Sequence, residues 1–361
     1  MSDSYDQIVI PLSTDEQLRL RYANIRGYAR FGLLLEDLDT FAVWLSYKHN
    51  QGAHSIDTEP AHQPMWIVTA CVDRIDLRLH ETKRTSIALD RDIVLEGHVS
   101  HAGSSSMEVT MRMMQYDWEF DQWSQLIKAR FVMVARDPVS GRAVNVHPLI
   151  TETPEQKAIF QKGIENKKLR QKRGEDSLLI QPPTELERQL LHSLFLQTLD
   201  ESSQSFKRRV LPSGHVWMDD CKLKNAIICF PEKRNLYHKI FGGFLMRQAF
   251  EAAWANAAVF SHGMPTVLAV DNIMFRKSVE LGSLLYFASE VCYAEEQYIQ
   301  VRVNAEVVDP AAGTHDTTNT FHFTFMARNT VPSVMPKTYA DAIMYLDEKR
   351  HFEETIKRQK I

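Results

Sequence analysis

The sequence contains two copies of one unit, and this internal repeat limits the possible folds more than any other feature. Residues 131–137 (FVMVARD) and 323–329 (FTFMARN) are variants of one strand-like segment, 192 residues apart. Upstream, residues 67–75 (IVTACVDRI) correspond to residues 267–273 (VLAVDNI). A chain of 361 residues is long enough for two domains that each bury a core. The repeat therefore predicts two similar domains.

Each half contains one mostly apolar helix followed by long strands. The predicted helices span residues 31–49 and 243–260, and a helix that is apolar around most of its circumference must be buried on most sides. Residues 107–113 and 299–307 alternate between apolar and polar types, as half-buried strands do. An antiparallel sheet wrapped around a central helix is the α+β hotdog arrangement. Two fused hotdog repeats should pack as a pseudo-twofold pair.

The predicted domain boundaries follow from these segments. The N-terminal hotdog domain takes residues 15–150 and the C-terminal hotdog domain takes residues 211–345. Residues 151–210 are polar and charged and should form a helical linker, and residues 346–361 should form a C-terminal tail. The most basic stretch of the linker, residues 167–173, lacks interleaved aromatic residues, so we expect a solvated helix and no nucleic-acid partner.

Composition argues against several classes of protein. The net charge is only -4, and no apolar run reaches the roughly 18 residues of a membrane span. The four cysteines form no Cys-x-x-Cys pair, which argues against a zinc site or a disulfide framework and favours reduced thiols. The first seven residues include two acids and no arginine, so no transit peptide is visible and a cytoplasmic location stays open. No Gly-x-Ser-x-Gly occurs, so serine hydrolase chemistry is not expected.

Each predicted helix carries one acid beside its apolar run, Asp39 in the first and Glu251 in the second. An unpaired buried carboxylate is costly, so such an acid pairs with an arginine, reaches solvent or has a chemical role. Counted from Gly32 and Gly243 at the helix starts, Asp39 is at position 7 and Glu251 at position 8. One residue rotates a side chain by about 100°. The two acids therefore cannot be equivalent, and Phe250 occupies position 7 of the second helix.

The two helix starts differ in the opposite sense. The second start carries Gly242 and Gly243, which allow close approach to unsatisfied N–H groups and could stabilise an oxyanion, although a Gly-Gly pair also permits tight helix packing. It is preceded by Asn235 and His238, whereas the first start has only Gly32, with no amide or imidazole nearby. These complementary differences predict one composite site between the repeats and an inactive mirror site around the second acid.

Around these residues the sequence resembles the mitochondrial acyl-CoA thioesterase 9 family of double-hotdog thioesterases. The resemblance covers most of the chain and rests on residues 30–32, 35–39, 131–137, 240–247, 270–275, 298–303, 321–326 and 336–339. It implies hydrolysis of acyl-CoA to free fatty acid and coenzyme A, in mitochondria, without a metal or dissociable cofactor. It also implies a homo-oligomer, a trimer of double-hotdog chains.

The resemblance assigns roles to particular residues. In related thioesterases an Asp in one repeat's helix works with an Asn shortly before the Gly-Gly of the other repeat. Asp39 matches the first role. Where relatives have the Asn, this chain has His238 and Lys239, with Asn235 further upstream. We therefore expect His238 to take the second role, with Asn235 as its substitute.

The expected mechanism combines these groups. The thioester carbonyl accepts a hydrogen bond from the N–H of Gly243, with or without that of Gly242, while Asp39 activates a water molecule. Direct attack by Asp39 to give a mixed anhydride is equally consistent with the sequence. Arg276 and Lys277, which follow a predicted strand, could bind the phosphates of coenzyme A or could be an ordinary solvated pair.

Two alternative functions remain open at this point. A hotdog acyl-CoA hydratase should have an Asp and a His close together in one repeat, and Asp39 has no such neighbour in the sequence. A non-catalytic acyl-CoA sensor could have kept the binding groove for acyl-CoA and lost activity when the Asn became His238.

Overall fold

The computed structural model describes residues 1–51, 65–77, 86–200, 206, 208–235, 237–310 and 312–359. The helices are α1 (Glu16–Tyr22), α2 (Phe31–Gln51), α3 (Pro154–Glu175), α4 (Glu185–Gln197), α5 (Gly242–Ser261) and α6 (Tyr339–Gln359). The strands are β1 (Asp6–Ile10), β2 (Trp66–Leu77), β3 (Ile93–Ala102), β4 (Ser106–Asp117), β5 (Gln122–Arg136), β6 (His215–Trp217), β7 (Lys222–Ile228), β8 (Thr266–Phe275), β9 (Leu284–Glu295), β10 (Tyr298–Asp309), β11 (Thr314–Met326) and β12 (Ser333–Met335).

Ten of the strands form one continuous sheet, and the strands of each half follow the same order from the centre of the sheet to its edge. The order is β1-β3-β4-β5-β2-β8-β11-β10-β9-β7, while β6 and β12 pair separately. The halves join where β2 and β8 run antiparallel, with Arg74 opposite Asp271 and Ile75 opposite Val270. An antiparallel pair at the centre relates the two halves by an approximate twofold axis. The predicted fold of two fused hotdog repeats is confirmed.

The alternation of apolar residues places one face of the sheet against α2 and α5. In β10, Val301, Val303 and Ala305 are fully buried, whereas the intervening Arg302 and Asn304 are only partly buried. Helix α2 packs against β2 to β5, and α5 packs against β7 and β9 to β11. The two helices also contact each other, which brings their starts together at the boundary between the repeats.

The outer face of the second half is covered by α6, so the prediction of a C-terminal tail is wrong for residues 346–359. Phe352 is buried and packs on Tyr293 and Tyr298 of the sheet. These aromatic surfaces would face water without the helix, so the hydrophobic effect holds it on the sheet. At the other end of the chain, β1 pairs with β3, so the sheet begins before the predicted domain boundary at residue 15.

Helix α6 also contributes to a buried group of charges, the α6 ionic cluster, formed by Asp271, Arg302, His322, Glu348 and His351. Glu348 Oε1 lies 2.6 Å from His322 Nδ1, and Asp271 Oδ2 lies 2.9 Å from His351 Nδ1. The two imidazole rings stack with centroids 4.0 Å apart. Burial would raise the pKa of Glu348, but His322, His351 and Arg302 lower it to about 2. The helix is therefore attached by an ionic cluster whose carboxylates are buried and whose Arg302 and His351 side chains are only 19% and 13% exposed.

The predicted helical linker contains α3 and α4, but its basic stretch is not simply solvated. Arg170 Nη1 lies 2.9 Å from Glu108 Oε2 and 3.2 Å from Asp73 Oδ2, and the Arg170 side chain is only 19% exposed. Arg173 also pairs with Asp73. The two acids are buried on the outer face of the first half, where a carboxylate needs a paired charge. The solvated-helix prediction is therefore wrong for these two arginines.

All four cysteines, Cys71, Cys221, Cys229 and Cys292, are free and buried. Over the ranges that the structure describes, none of the helices combines the length and the apolar character needed to cross a membrane.

Candidate active site

Asp39 of the first repeat lies at the start of α5 in the second repeat. Its side chain is buried, with 1% of the residue exposed. Oδ2 accepts a hydrogen bond of 2.7 Å from the N–H of Gly243, and Oδ1 accepts one of 2.5 Å from the hydroxyl of Thr69. Gly243 is the second residue of α5, where N–H groups have no acceptor within the helix. The carboxylate and the helix start form one composite group from both repeats.

The environment of Asp39 makes its carboxylate a stronger base than an ordinary aspartate. Burial raises the pKa of Asp39 to about 6, although the hydrogen bonds from Thr69 and Gly243 lower it. The group is therefore mostly ionised at neutral pH and can accept a proton or attack an electrophile.

A raised pKa alone does not identify the site. Asp37, two residues earlier on the same helix, also has a pKa raised by burial to about 6. Its Oδ2 accepts a hydrogen bond of 2.7 Å from the hydroxyl of Tyr22, and this contact stays within the first repeat. The contact with the other repeat's helix start distinguishes Asp39 from Asp37.

The start of α5 has no room for a side chain at Gly243 and little room for one at Gly242. A Cβ atom on Gly243 would lie 2.6 Å from Cε1 of Phe241 and 2.8 Å from Cα of Glu36. A Cβ atom on Gly242 would lie 3.1 Å from Oδ2 of Asp39 and 3.4 Å from Cε1 of Phe275. The backbone of α5 can therefore approach α2 closely enough to reach the carboxylate only when Gly243 carries no side chain, while a Cβ atom at Gly242 would need a small shift of its neighbours.

We expect Gly243→Ala to lower the free energy of unfolding by about 1–3 kcal/mol, because the new methyl group meets backbone that cannot move cheaply. Urea denaturation measures this loss. Gly174→Ala is the matched control, since a Cβ atom there meets nothing within 4 Å. In α3 that change should be neutral or stabilising. Equal free energies of unfolding for the two variants would show that the contact between Gly243 and α2 can accommodate a methyl group.

In the structure the Gly243 N–H has an acceptor within the protein, and its contact with a thioester carbonyl stays a prediction. That group points at Asp39 Oδ2 and is not directed at an open position for a carbonyl oxygen. An ionised carboxylate at a helix start is a stronger acceptor than a neutral carbonyl, which explains this contact. The direct role of Gly243 in this structure is to hold and orient Asp39.

The structure does not join His238 or Asn235 to Asp39. Asn235 Oδ1 accepts hydrogen bonds from the backbone N–H groups of Tyr237 and Lys239, at 2.9 and 3.1 Å. His238 is exposed, in the left-handed region with φ of 58°. Among the described residues, neither side chain forms a hydrogen bond with Asp39. Asn235 shapes a turn, which asparagine does well because its side chain replaces a backbone acceptor. Asn24 shapes the same turn in the first repeat, where its Oδ1 accepts hydrogen bonds of 2.8 and 3.1 Å from backbone N–H groups. The expectation that only the second helix start has an amide nearby is therefore wrong.

Two residues of this region were missed by the sequence reasoning, Thr69 and Tyr237. Tyr237 stacks on Trp66 with ring centroids 4.4 Å apart, and its hydroxyl contacts that of Tyr47. It thereby attaches the turn before α5 to the first repeat. The sequence did contain a signal for Thr69. When Asp73 is aligned with Asp271 of the second repeat, the residue equivalent to Thr69 is Val267. A hydroxyl present in only one repeat marks the same asymmetry as the acid.

The two predicted phosphate-binding residues lie at the end of β8. Arg276 and Lys277 are both exposed, and Lys277 Nζ lies 2.9 Å from Asp316 Oδ1. The preceding residue, Phe275, lies against Gly242. Both cations are therefore close along the chain to the start of α5, and their binding role stays a prediction.

The mirror position is the start of α2 around Gly32, which packs on α5 as Gly243 packs on α2 but faces a phenylalanine in place of an aspartate. A Cβ atom on Gly32 would lie 3.5 Å from the ring of Phe250, the residue in the place of Asp39. Glu251 also borders this position, since its Oε1 would lie 3.6 Å from that Cβ atom, but its side chain is 40% exposed and pairs with Arg30 at 2.8 Å and Arg247 at 3.0 Å. The predicted difference in register between the two acids is confirmed, and Glu251 has an arginine-pairing role.

Comparisons with known proteins agree with this architecture. No protein-family model matches the chain. Human acyl-coenzyme A thioesterase 9, mitochondrial, is 46% identical over 352 residues, which cover 98% of this chain and 77% of that protein. Mouse acyl-coenzyme A thioesterase 10, mitochondrial, is 45% identical over 351 residues, covering 97% and 77%. A solved structure assigned to an oleoyl thioesterase of Lactobacillus plantarum aligns with a TM-score of 0.51 at 11% identity, covering 91% of this chain and 96% of that one. This last likeness concerns the fold alone.

Proposed function

The chain belongs to the acyl-coenzyme A thioesterase 9 family, and we propose that its composite site at Asp39 hydrolyses acyl-CoA to a free fatty acid and coenzyme A. The observation that carries the assignment of the site is the hydrogen bond between Asp39 and Gly243. It joins a buried carboxylate of one repeat to the helix start of the other. The mirror position has no carboxylate in this orientation, so each chain has one working site.

In the proposed reaction a water oxygen attacks the carbonyl carbon of the thioester while Asp39 takes its proton. The developing oxyanion is stabilised by the positive end of the α5 dipole at Gly242 and Gly243. The carbon–sulfur bond then breaks, and coenzyme A leaves as its thiolate. A positioned base contributes about 10²- to 10⁴-fold to such a reaction.

A second route uses the same carboxylate as a nucleophile. Asp39 attacks the carbonyl carbon, coenzyme A leaves, and water hydrolyses the mixed anhydride. Single-turnover hydrolysis in heavy-oxygen water can detect this route, because label enters Asp39 only when water attacks the aspartyl carbonyl of the anhydride.

Other parts of the proposal rest on the family. Arg276 and Lys277 bind the phosphates of coenzyme A, and three double-hotdog chains assemble into a trimer. The human and mouse relatives are named as mitochondrial, which supports a mitochondrial location for this protein. The proposed reaction uses no metal and no dissociable cofactor. The two hotdog domains take residues up to about 150 and from about 211.

Steady-state release of coenzyme A from a panel of straight-chain acyl-CoAs tests the proposed function. We expect turnover with at least one member, detected by a thiol reagent. Binding without release across the panel would contradict hydrolysis and favour an acyl-CoA sensor. Hydration of an enoyl-CoA without release would favour a hydratase, although Asp39 forms no hydrogen bond with a histidine among the described residues.

A further inference from the structure

A cavity of about 500 Å³ lies at the mirror position, where the proposed reaction has no use for it. This volume is within the range of roughly 300–1,000 Å³ that is typical of small-molecule sites. Its inner wall is apolar and is formed by Phe31, Leu77, Ile87, Phe250, Trp254 and Val267. The start of α5 thus faces the Asp39 carboxylate, whereas the equivalent start of α2 borders an apolar chamber.

The same symmetry explains why this chamber cannot hydrolyse a thioester. Phe250 stands in the place of Asp39, and Val267 stands in the place of Thr69. Both replacements remove a polar group and add apolar surface to the wall. The chamber therefore lacks the equivalents of the Asp39 carboxylate and the Thr69 hydroxyl, and the Glu251 carboxylate on its wall is held in ion pairs with two arginines.

The polar residues around the chamber carry a positive balance. Arg30 and Glu251 form an ion pair at 2.8 Å, which leaves no net charge. Arg26 is exposed and lies over the ring of Tyr28 at 5.7 Å, and no carboxylate is paired with it among the described residues. An apolar chamber beside one uncompensated guanidinium matches a ligand with an apolar tail and an anionic head.

We propose that this mirror cavity binds one linear acyl chain with an anionic head and does not hydrolyse it. The tail lies against Phe250, Trp254 and Val267, and the head lies near Arg26 and Arg30. The choice of an acyl ligand rests on the proposed function, since either its substrate or its product has this chemistry. The cavity is then a second acyl site in each chain, separate from the Asp39 site.

Photolabelling with a dodecanoic acid that carries a diazirine tests the site directly on the whole protein. We expect label on Trp254, Pro265 or Val267, located by tandem mass spectrometry and competed by unlabelled dodecanoate. Label confined to residues around Asp39 and Thr69, or label that excess dodecanoate does not reduce, would overturn the proposal. This result does not depend on the folding of any variant.

A filling variant gives an independent measurement. Thr266 lines the cavity and is half-buried, so Thr266→Phe should place a ring in the chamber. We expect it to weaken dodecanoate binding at least tenfold in calorimetry. Val259→Phe is the matched control, since Val259 is 65% exposed and does not line the cavity. Equal binding by both variants, with melting curves showing that both are folded, would contradict the proposal.

The two sources of the acyl chain are separated by a second probe. This probe is the coenzyme A thioester of the same diazirine-bearing dodecanoic acid. It is applied to the Asp39→Asn variant, which should not hydrolyse the thioester. Label at Trp254 or Val267 from this ester identifies substrate as a ligand, and label from the free acid alone identifies product. Absence of label from both would refute the cavity site even if coenzyme A is released. Conversely, saturable label without coenzyme A release would refute only the proposed function.

Discussion

Replacing Asp39 by asparagine should lower kcat for acyl-CoA hydrolysis by about 10²- to 10⁴-fold, the usual contribution of a positioned base. Asparagine has the same shape, but it is neutral and can neither accept the proton from water nor attack as a nucleophile. Steady-state release of coenzyme A measures the loss. Retention of half the activity would mean that the mirror site also works, and full activity would refute the proposed site.

Asp37→Asn is the matched control for this experiment. Asp37 is on the same helix and its pKa is also raised by burial to about 6, but it bonds Tyr22 and not α5. Asparagine can still accept the tyrosine hydrogen bond. We therefore expect activity within about twofold of wild type, since a change that leaves no buried partner unpaired and lies outside the site usually has a small effect.

Removing Glu348 from the α6 ionic cluster should lower the free energy of unfolding by about 3–5 kcal/mol, the usual cost of leaving buried partners of an ion pair without it. Glu348 is fully buried, and its oxygens bond His322 at 2.6 Å and Gln300 at 3.0 Å. Arg302 Nη1 lies 3.7 Å away. In Glu348→Ala the side chains of His322 and Gln300 stay buried without this acceptor, while Arg302 keeps its pair with Asp347 at 2.8 Å. Urea denaturation measures the change.

Glu353→Ala on the same helix is the control for this effect. Glu353 is exposed and pairs with Lys349 one turn earlier, a type of contact that contributes about 0.3–0.5 kcal/mol. A loss of similar size in both variants would show that the buried cluster does not attach α6 to the sheet.

Local patterns predicted the helices and strands well. The first helix was expected at residues 31–49 and spans Phe31–Gln51, because its apolar side chains recur at helical spacing. Helix α6 was missed because its apolar positions are few and its burial depends on charges supplied by strands far away in the chain. The joining of both halves through β2 and β8 also depends on long-range pairing that no local pattern encodes.

The candidate site was only partly predictable for a related reason. The count of positions from the helix-start glycines separated Asp39 from Glu251, because helical geometry converts sequence spacing into direction. The partner of the carboxylate could not be found this way. Thr69 is 30 residues from Asp39 along the chain, and its contact exists only once β2 lies beside α2. His238 was favoured by its place before the glycines, but its left-handed turn leaves it exposed.

The pH dependence of kcat/KM, which reports groups of the free enzyme, tests the central role of ionised Asp39 most directly. Activity should rise with pH through an acid limb near the Asp39 pKa of about 6. In Thr69→Val the carboxylate loses a donor that favours its charged form, so the limb should move to higher pH. Valine is tolerated at the equivalent Val267 of the second repeat. A limb that is absent, or that stays in place in Thr69→Val, would contradict the assignment of Asp39 as the catalytic carboxylate.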